Sequence, residues 1–143
     1  MRLLRMKPGH GEVLIAEGDV AVAEEERELI EACAGLCDKL LAAIRPGSSV
    51  QELARMGDRY AAEFDKDQAA DKFPLYGHGL GLFFEKPYIS TVMGEPEDQF
   101  VEGMVIGVEC FLGRKGVGSV GFEQNAIITA TGVELITTTP MLW

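Results

Sequence analysis

The sequence predicts an α+β domain in which a mainly antiparallel sheet is covered on one face by two helices. Three observations lead there. Residues 24–44 and 50–64 repeat apolar side chains at helical spacing, and the chain after Phe73-Pro74 breaks into short β-branched and aromatic runs separated by glycine. The helices precede these runs instead of alternating with them, which disfavours a parallel α/β sheet.

The elements follow in order. Val13-Leu14-Ile15-Ala16 reads as a short strand ended by Gly18-Asp19. From Glu24 to Ile44 apolar positions recur every three or four residues and acidic residues crowd the first turns, where the helix dipole favours them. Arg45-Pro46-Gly47 stops that helix. Ser48 or Ser49 caps a second one, Val50 to about Phe64, with Glu52 three residues after Ser49 as in a capping box. Asp65 to Lys72 is a polar loop. Strands are expected at Tyr88-Ile89-Ser90, Met104–Leu112, Ser119–Ala130 and Val133–Thr138. Thr131-Gly132 is a tight turn that makes a hairpin of the last two, and residues 113–118 are a flexible connection between the two before it.

At 143 residues with 47% hydrophobic content, the chain suits one globular domain spanning 1–143. Acidic residues outnumber basic ones by 23 to 13, and no Lys/Arg cluster offers a phosphate-binding surface, so nucleic acid is not an expected partner. The start, Met1 to Gly9, is broken by charges and a proline before any signal-like run develops, and no apolar run is long enough for a membrane span. A cytoplasmic protein with no membrane contact is expected. The three cysteines, 33, 37 and 110, form no even disulfide framework. Cys33 and Cys37 share the apolar helix face with Leu29, Ile30, Leu40 and Ile44 and read as buried small hydrophobes.

Chemistry concentrates in the second half. His78 is held between glycines in Gly77-His78-Gly79-Leu80-Gly81-Leu82, where the backbone is expected to pass close to something small. Glu109 stands in the apolar run Met104–Leu112, and Glu123 in the run Val120–Ile128. A strand core seldom tolerates a lone carboxylate, because burying an unpaired charge costs several kcal/mol or neutralises the group. One imidazole and two such carboxylates imply a cation. Each has a plainer reading: His78 satisfied by backbone in a glycine turn, Glu109 and Glu123 facing solvent on an edge strand.

Gly77-His78-Gly79-Leu80-Gly81, Pro87-Tyr88-Ile89-Ser90, Glu102-Gly103-Met104-Val105 ending in Val108-Glu109, and Phe122-Glu123 followed by an apolar strand and Thr131-Gly132-Val133-Glu134-Leu135-Ile136 resemble, in order and spacing, the C-terminal catalytic domain of the pita-bread metallohydrolases. That family includes methionine aminopeptidase, aminopeptidase P, prolidase and creatinase. The helical half, Glu24 to Leu29 and Ile44 to Leu53, is similar too, so the resemblance runs from about residue 13 onward. It implies an incomplete pita-bread fold and a two-metal site built from two aspartates, one histidine and two glutamates. Carried over, His78, Glu109 and Glu123 are metal ligands for divalent Mn, Co, Zn or Fe, whose bound water attacks a carbonyl carbon.

Two departures set the functional expectation. The second aspartate falls at position 10, where this chain has His10, and the first would precede Met1, so both aspartates and the family's N-terminal strands are expected to be missing. Peptidase members place a second histidine after His-Gly-x-Gly. Here Glu85 occupies that position, a candidate acid-base residue whose plainer reading is a loop carboxylate, and Cys110-Phe111-Leu112-Gly113 replaces the usual Pro-Gly. Both features resemble non-peptidase branches such as the dimethylsulfoniopropionate lyases. The expectation is a metal-dependent hydrolase related to Xaa-Pro aminopeptidase, prolidase and creatinase, with weak or no activity and the metal not necessarily retained. Its substrate would be a small molecule or short peptide. The alternatives are a non-catalytic remnant or fragment acting by binding or self-association, for which exposed sheet edge favours a homodimer, or a non-peptidase branch such as a lyase on a small sulfonium substrate.

Overall fold

The structure is a computed structural model that describes residues 23–64 and 74–141, together with the strand backbone of 2–6 and 13–17. His10, Gly18-Asp19 and the 65–72 stretch lie outside the described residues. Strands β1 (Arg2–Met6) and β2 (Val13–Glu17) pair antiparallel, with Leu4 opposite Ile15. The strand at 13–17 is where the sequence puts one; its partner goes unanticipated because Arg2 and Arg5 interrupt the apolar pattern of so short a run.

Helix α1 (Glu24–Ala43) begins at Ala23, whose N–H donates to the Glu26 carboxylate at 3.1 Å. Three glutamates in the first turn meet the positive end of the helix dipole. The helix stops at Ile44, and Gly47, at φ +82°, takes the left-handed conformation that the turn into the next helix requires. Helix α2 (Val50–Phe64) is capped by Ser49 Oγ, which accepts the Glu52 N–H at 3.3 Å, while the Glu52 carboxylate is engaged by Arg55. The cap is thus the expected Ser49, with Glu52 turned toward its own helix face.

The main sheet is antiparallel throughout, in the order β4-β3-β5-β6-β7: β3 (His78–Leu80), β4 (Phe84–Tyr88), β5 (Val105–Arg114), β6 (Gly118–Thr129) and β7 (Gly132–Leu135). Helix α1 packs against β5, β6 and β7 and against α2. The core between them is continuous: Leu36, Leu40 and Ile44 of α1 meet Ile106, Val108 and Leu112 of β5 and Ile128 of β6, all buried. Strand alternation sends these side chains toward the helices and leaves Gly107, Glu109 and Phe111 on the opposite face, which carries no helix among the described residues.

The structure shifts several expected boundaries, among them that of the last strand, which ends at Leu135 and not at Thr138. The strand expected at Tyr88-Ile89-Ser90 is β4, which starts earlier, at Phe84, and ends at Tyr88. Ser90 instead closes a turn, its Oγ donating to Pro74 O at 2.5 Å and accepting the N–H groups of Val92 and Met93. The connection at 113–118 is a tight hairpin whose turn holds Gly116 at φ +83°, with Arg114 and Gly118 already paired. Gly132 lies within β7 opposite Thr129, so the final turn is Ala130-Thr131, one residue earlier than expected.

Cys33, Cys37 and Cys110 are free and fully buried at the α1–β5 contact. The Cys33 thiol donates to Cys110 O at 3.3 Å and the Cys37 thiol to Val108 O at 3.6 Å. Burial pushes the Cys33 thiol up to about 12, and a hydrogen bond with Cys37 together with burial raises Cys110 further still. They behave as the small hydrophobes the helix face implies.

Candidate metal centre

Strand β3 carries the imidazole. A Cβ on Gly77, at φ +146°, would lie 2.2 Å from Gly107 O of β5, and one on Gly79 would lie 2.2 Å from Lys86 O of β4. The glycines therefore let β3 squeeze between two neighbouring backbones. The close approaches at these two glycines are to the flanking strands. His78 itself is 7% exposed, its ring 4.0 Å from that of Phe84, which stacks in turn on Tyr88 at 5.3 Å. Its Nδ1 lies 2.9 Å from Gly79 O. A carbonyl can only accept, so Nδ1 carries a proton, and in the neutral ring the lone pair is then on Nε2. Nε2 stands 4.0 Å from Glu109 Oε2.

The carboxylates come from the β5–β6 hairpin. Glu109 and Glu123 are directly opposite in the ladder, and in the same ladders Gly107 lies between His78 on one side and Asn125 on the other. Opposed residues of an antiparallel pair share a face. The four side chains at 78, 109, 123 and 125 thus surround the bare position of Gly107. A Cβ there would meet Glu123 Oε1 at 2.7 Å and Asn125 Oδ1 at 3.2 Å. Partial burial and the facing Glu123 push the Glu109 carboxyl above its ordinary range, with His78 pulling weakly the other way. Two carboxylates set against each other favour either a shared proton or a cation.

The structure brings His78, Glu109 and Glu123 to one strand face. Glu85 is placed elsewhere: its Oε1 accepts the Leu82 N–H at 3.1 Å and its other oxygen hangs over Gly81, so it closes the β3–β4 turn. Sequence reasoning misses Asn125, although its position two residues after Glu123 on a strand puts both on the same face. One imidazole nitrogen and two carboxylates are the donor types a divalent cation takes. Among the described residues, however, no three His, Cys, Asp or Glu side chains close on one point as a ligand cluster. The donors fit a single ion in kind, and the described residues do not complete a two-ion site.

An antiparallel sheet backed by two helices, with acidic and imidazole groups on its free face, is the architecture of the pita-bread hydrolases. Solved structures confirm the fold: the prolidase from Pyrococcus furiosus superposes with a TM-score of 0.73 at 27% identity, over 84% of this chain and 34% of that one. The X-Pro aminopeptidase from Thermotoga maritima gives a TM-score of 0.73 at 22% identity, over 83% of this chain and 33% of that one, a likeness of fold. In sequence, the Xaa-Pro dipeptidase of Pyrococcus furiosus is 31% identical over 119 residues, 81% of this chain and 32% of the relative. Residues 15–130 match Metallopeptidase family M24, and the chain belongs to that family. It spans about a third of the length of these relatives.

Proposed function

We propose that this chain forms the metal-binding part of a prolidase-type hydrolase acting on short Xaa-Pro peptides. His78, Glu109 and Glu123 would hold a divalent cation, Mn, Co, Zn or Fe, which when bound polarises a carbonyl and acidifies a water molecule. The chain's own residues have defined parts. Gly79 O holds the His78 ring so that Nε2 stays a donor. Glu109 and Glu123 supply negative charge on the helix-free face, and Phe84 and Tyr88 form an apolar wall beside His78. The observation that carries the reading is the direct opposition of Glu109 and Glu123, with His78 Nε2 4.0 Å from the former.

Peptide cleavage by this chain alone is expected to be weak or absent. The chain has His10 where the resemblance places the family's second aspartate. The test is calorimetric titration of the chain with MnCl2, followed by an Xaa-Pro dipeptide hydrolysis assay. Binding of one ion per chain that is lost in His78→Ala supports the proposal; no binding at millimolar MnCl2 overturns it.

A second reading, self-association as a homodimer, is favoured by exposed apolar residues at the β3–β4 turn, where Leu82 is fully exposed and Phe83 82% exposed. Light scattering of wild type and a Leu82→Glu, Phe83→Glu double variant tests it. A dimer lost in the variant supports this reading, and a wild-type monomer at high concentration rejects it.

A further inference from the structure

Asn125 has an oxygen with nothing to bind. Its Oδ1 is buried and makes no hydrogen bond to any protein group, although a buried carbonyl oxygen without a donor costs about 1–3 kcal/mol. The rest of the residue is firmly held. Its N–H donates to Thr137 Oγ1 at 2.8 Å, and its carbonyl accepts the Ile136 and Thr137 N–H groups at 2.7 and 3.3 Å. The side chain is therefore presented from a fixed backbone, on the face that Gly107 leaves bare.

What lies beside that oxygen decides what it wants. The nearest atoms to the missing Cβ of Gly107 include Glu123 Oε1 at 2.7 Å and Asn125 Oδ1 at 3.2 Å, so two acceptor oxygens enter one small space from the same strand. Across it stand Glu109, directly opposite Glu123 in the ladder, and the Nε2 of His78. Acceptors that converge without a donor between them call for a cation. An amide oxygen adds a third oxygen donor to the two carboxylates on this face.

We infer that Asn125 Oδ1 is a further donor to the divalent cation of this site, completing an oxygen-dominated set with Glu109 and Glu123 beside the His78 nitrogen. Three oxygens to one nitrogen suit a hard ion such as Mn2+. The inference rests on the proposed metal site, and a Cβ on Gly107 would crowd the Glu123 and Asn125 oxygens it uses.

The experiment is calorimetric titration of the full chain with MnCl2, comparing wild type, Asn125→Leu and Asn125→Asp, with circular dichroism melting to confirm that each variant is folded. Asn125→Leu keeps the size and removes the oxygen, and should weaken Mn2+ about tenfold or more. Asn125→Asp keeps an oxygen in place and adds charge, and should tighten Mn2+ by about threefold or more. Were the amide turned the other way, its N–H would hold Glu123, and the aspartate would repel that carboxylate and weaken binding. Weaker binding by Asn125→Asp, or unchanged binding by Asn125→Leu, overturns the assignment while leaving the metal site standing. A wild type that binds no Mn2+ overturns both.

Discussion

Glu109 sits half-buried opposite another carboxylate, and its ionisation is disfavoured by burial first and by Glu123 second. A carboxyl whose folded pKa is raised contributes stability that is fully present below the ordinary value near 4.5 and is lost as pH rises through the raised value. At neutral pH, without metal, Glu109 is therefore a destabilising charge. Glu109→Gln should raise stability in chelator at pH 7 by up to about 1 kcal/mol. That gain should close as pH falls below the ordinary carboxylate value, and chemical denaturation at several pH values measures both effects. A loss of stability at pH 7 would mean that Glu109 is held by a favourable partner instead. The residue scale is also where the sequence is most and least informative. Two isolated carboxylates in apolar runs and a histidine between glycines are conspicuous, because each breaks a local rule. Asn125 breaks none, since an amide on a half-buried strand is unremarkable until its oxygen is found without a donor.

At the level of elements, the helices were legible because a period of three to four residues and their stop signals are both local. Strands β3 and β4 were not, because their limits follow from neighbours: β3 exists where Gly77 and Gly79 allow backbones to close in, and the β3–β4 register shifts between His78 and Gly79. This yields a contrast between glycines. Gly79→Ala drives a methyl into Lys86 O, a backbone atom that cannot retreat, and should cost about 3 kcal/mol or more. Gly107→Ala meets only the ends of Glu123 and Asn125, so the protein should fold and lose Mn2+ instead. Thermal melting and Mn2+ titration of the two variants separate these outcomes. Helix α2 is tied to the site from the other side. Tyr76 OH donates to Asp58 at 2.8 Å, and Tyr76 O accepts the Glu109 N–H at 3.1 Å. Tyr76→Phe should cost about 1 kcal/mol, read from denaturant unfolding. The three thiols of the α1–β5 contact should resist a thiol reagent in the native state and react only on unfolding, since all three are fully buried.

For the whole molecule, membership of family M24 and the pita-bread fold account for the order of elements, with the helices on one face and the acidic groups on the other. The fold was legible because several spaced motifs agreed, whereas the degree of activity was not, because it depends on ligands beyond the three that the described residues bring to one face. Among the described residues no helix is long and apolar enough to cross a membrane. A cation that binds only the folded chain stabilises it by mass action, about 2.7 kcal/mol at a hundredfold excess over the dissociation constant. MnCl2 should therefore raise the melting temperature of the wild type and leave that of His78→Ala unchanged, as followed by circular dichroism. The most direct measurement is anomalous-difference density at the manganese absorption edge from crystals grown with MnCl2. The expected result is a peak on the helix-free face in contact with the carboxylates of Glu109 and Glu123; a peak elsewhere, or none, would contradict the account.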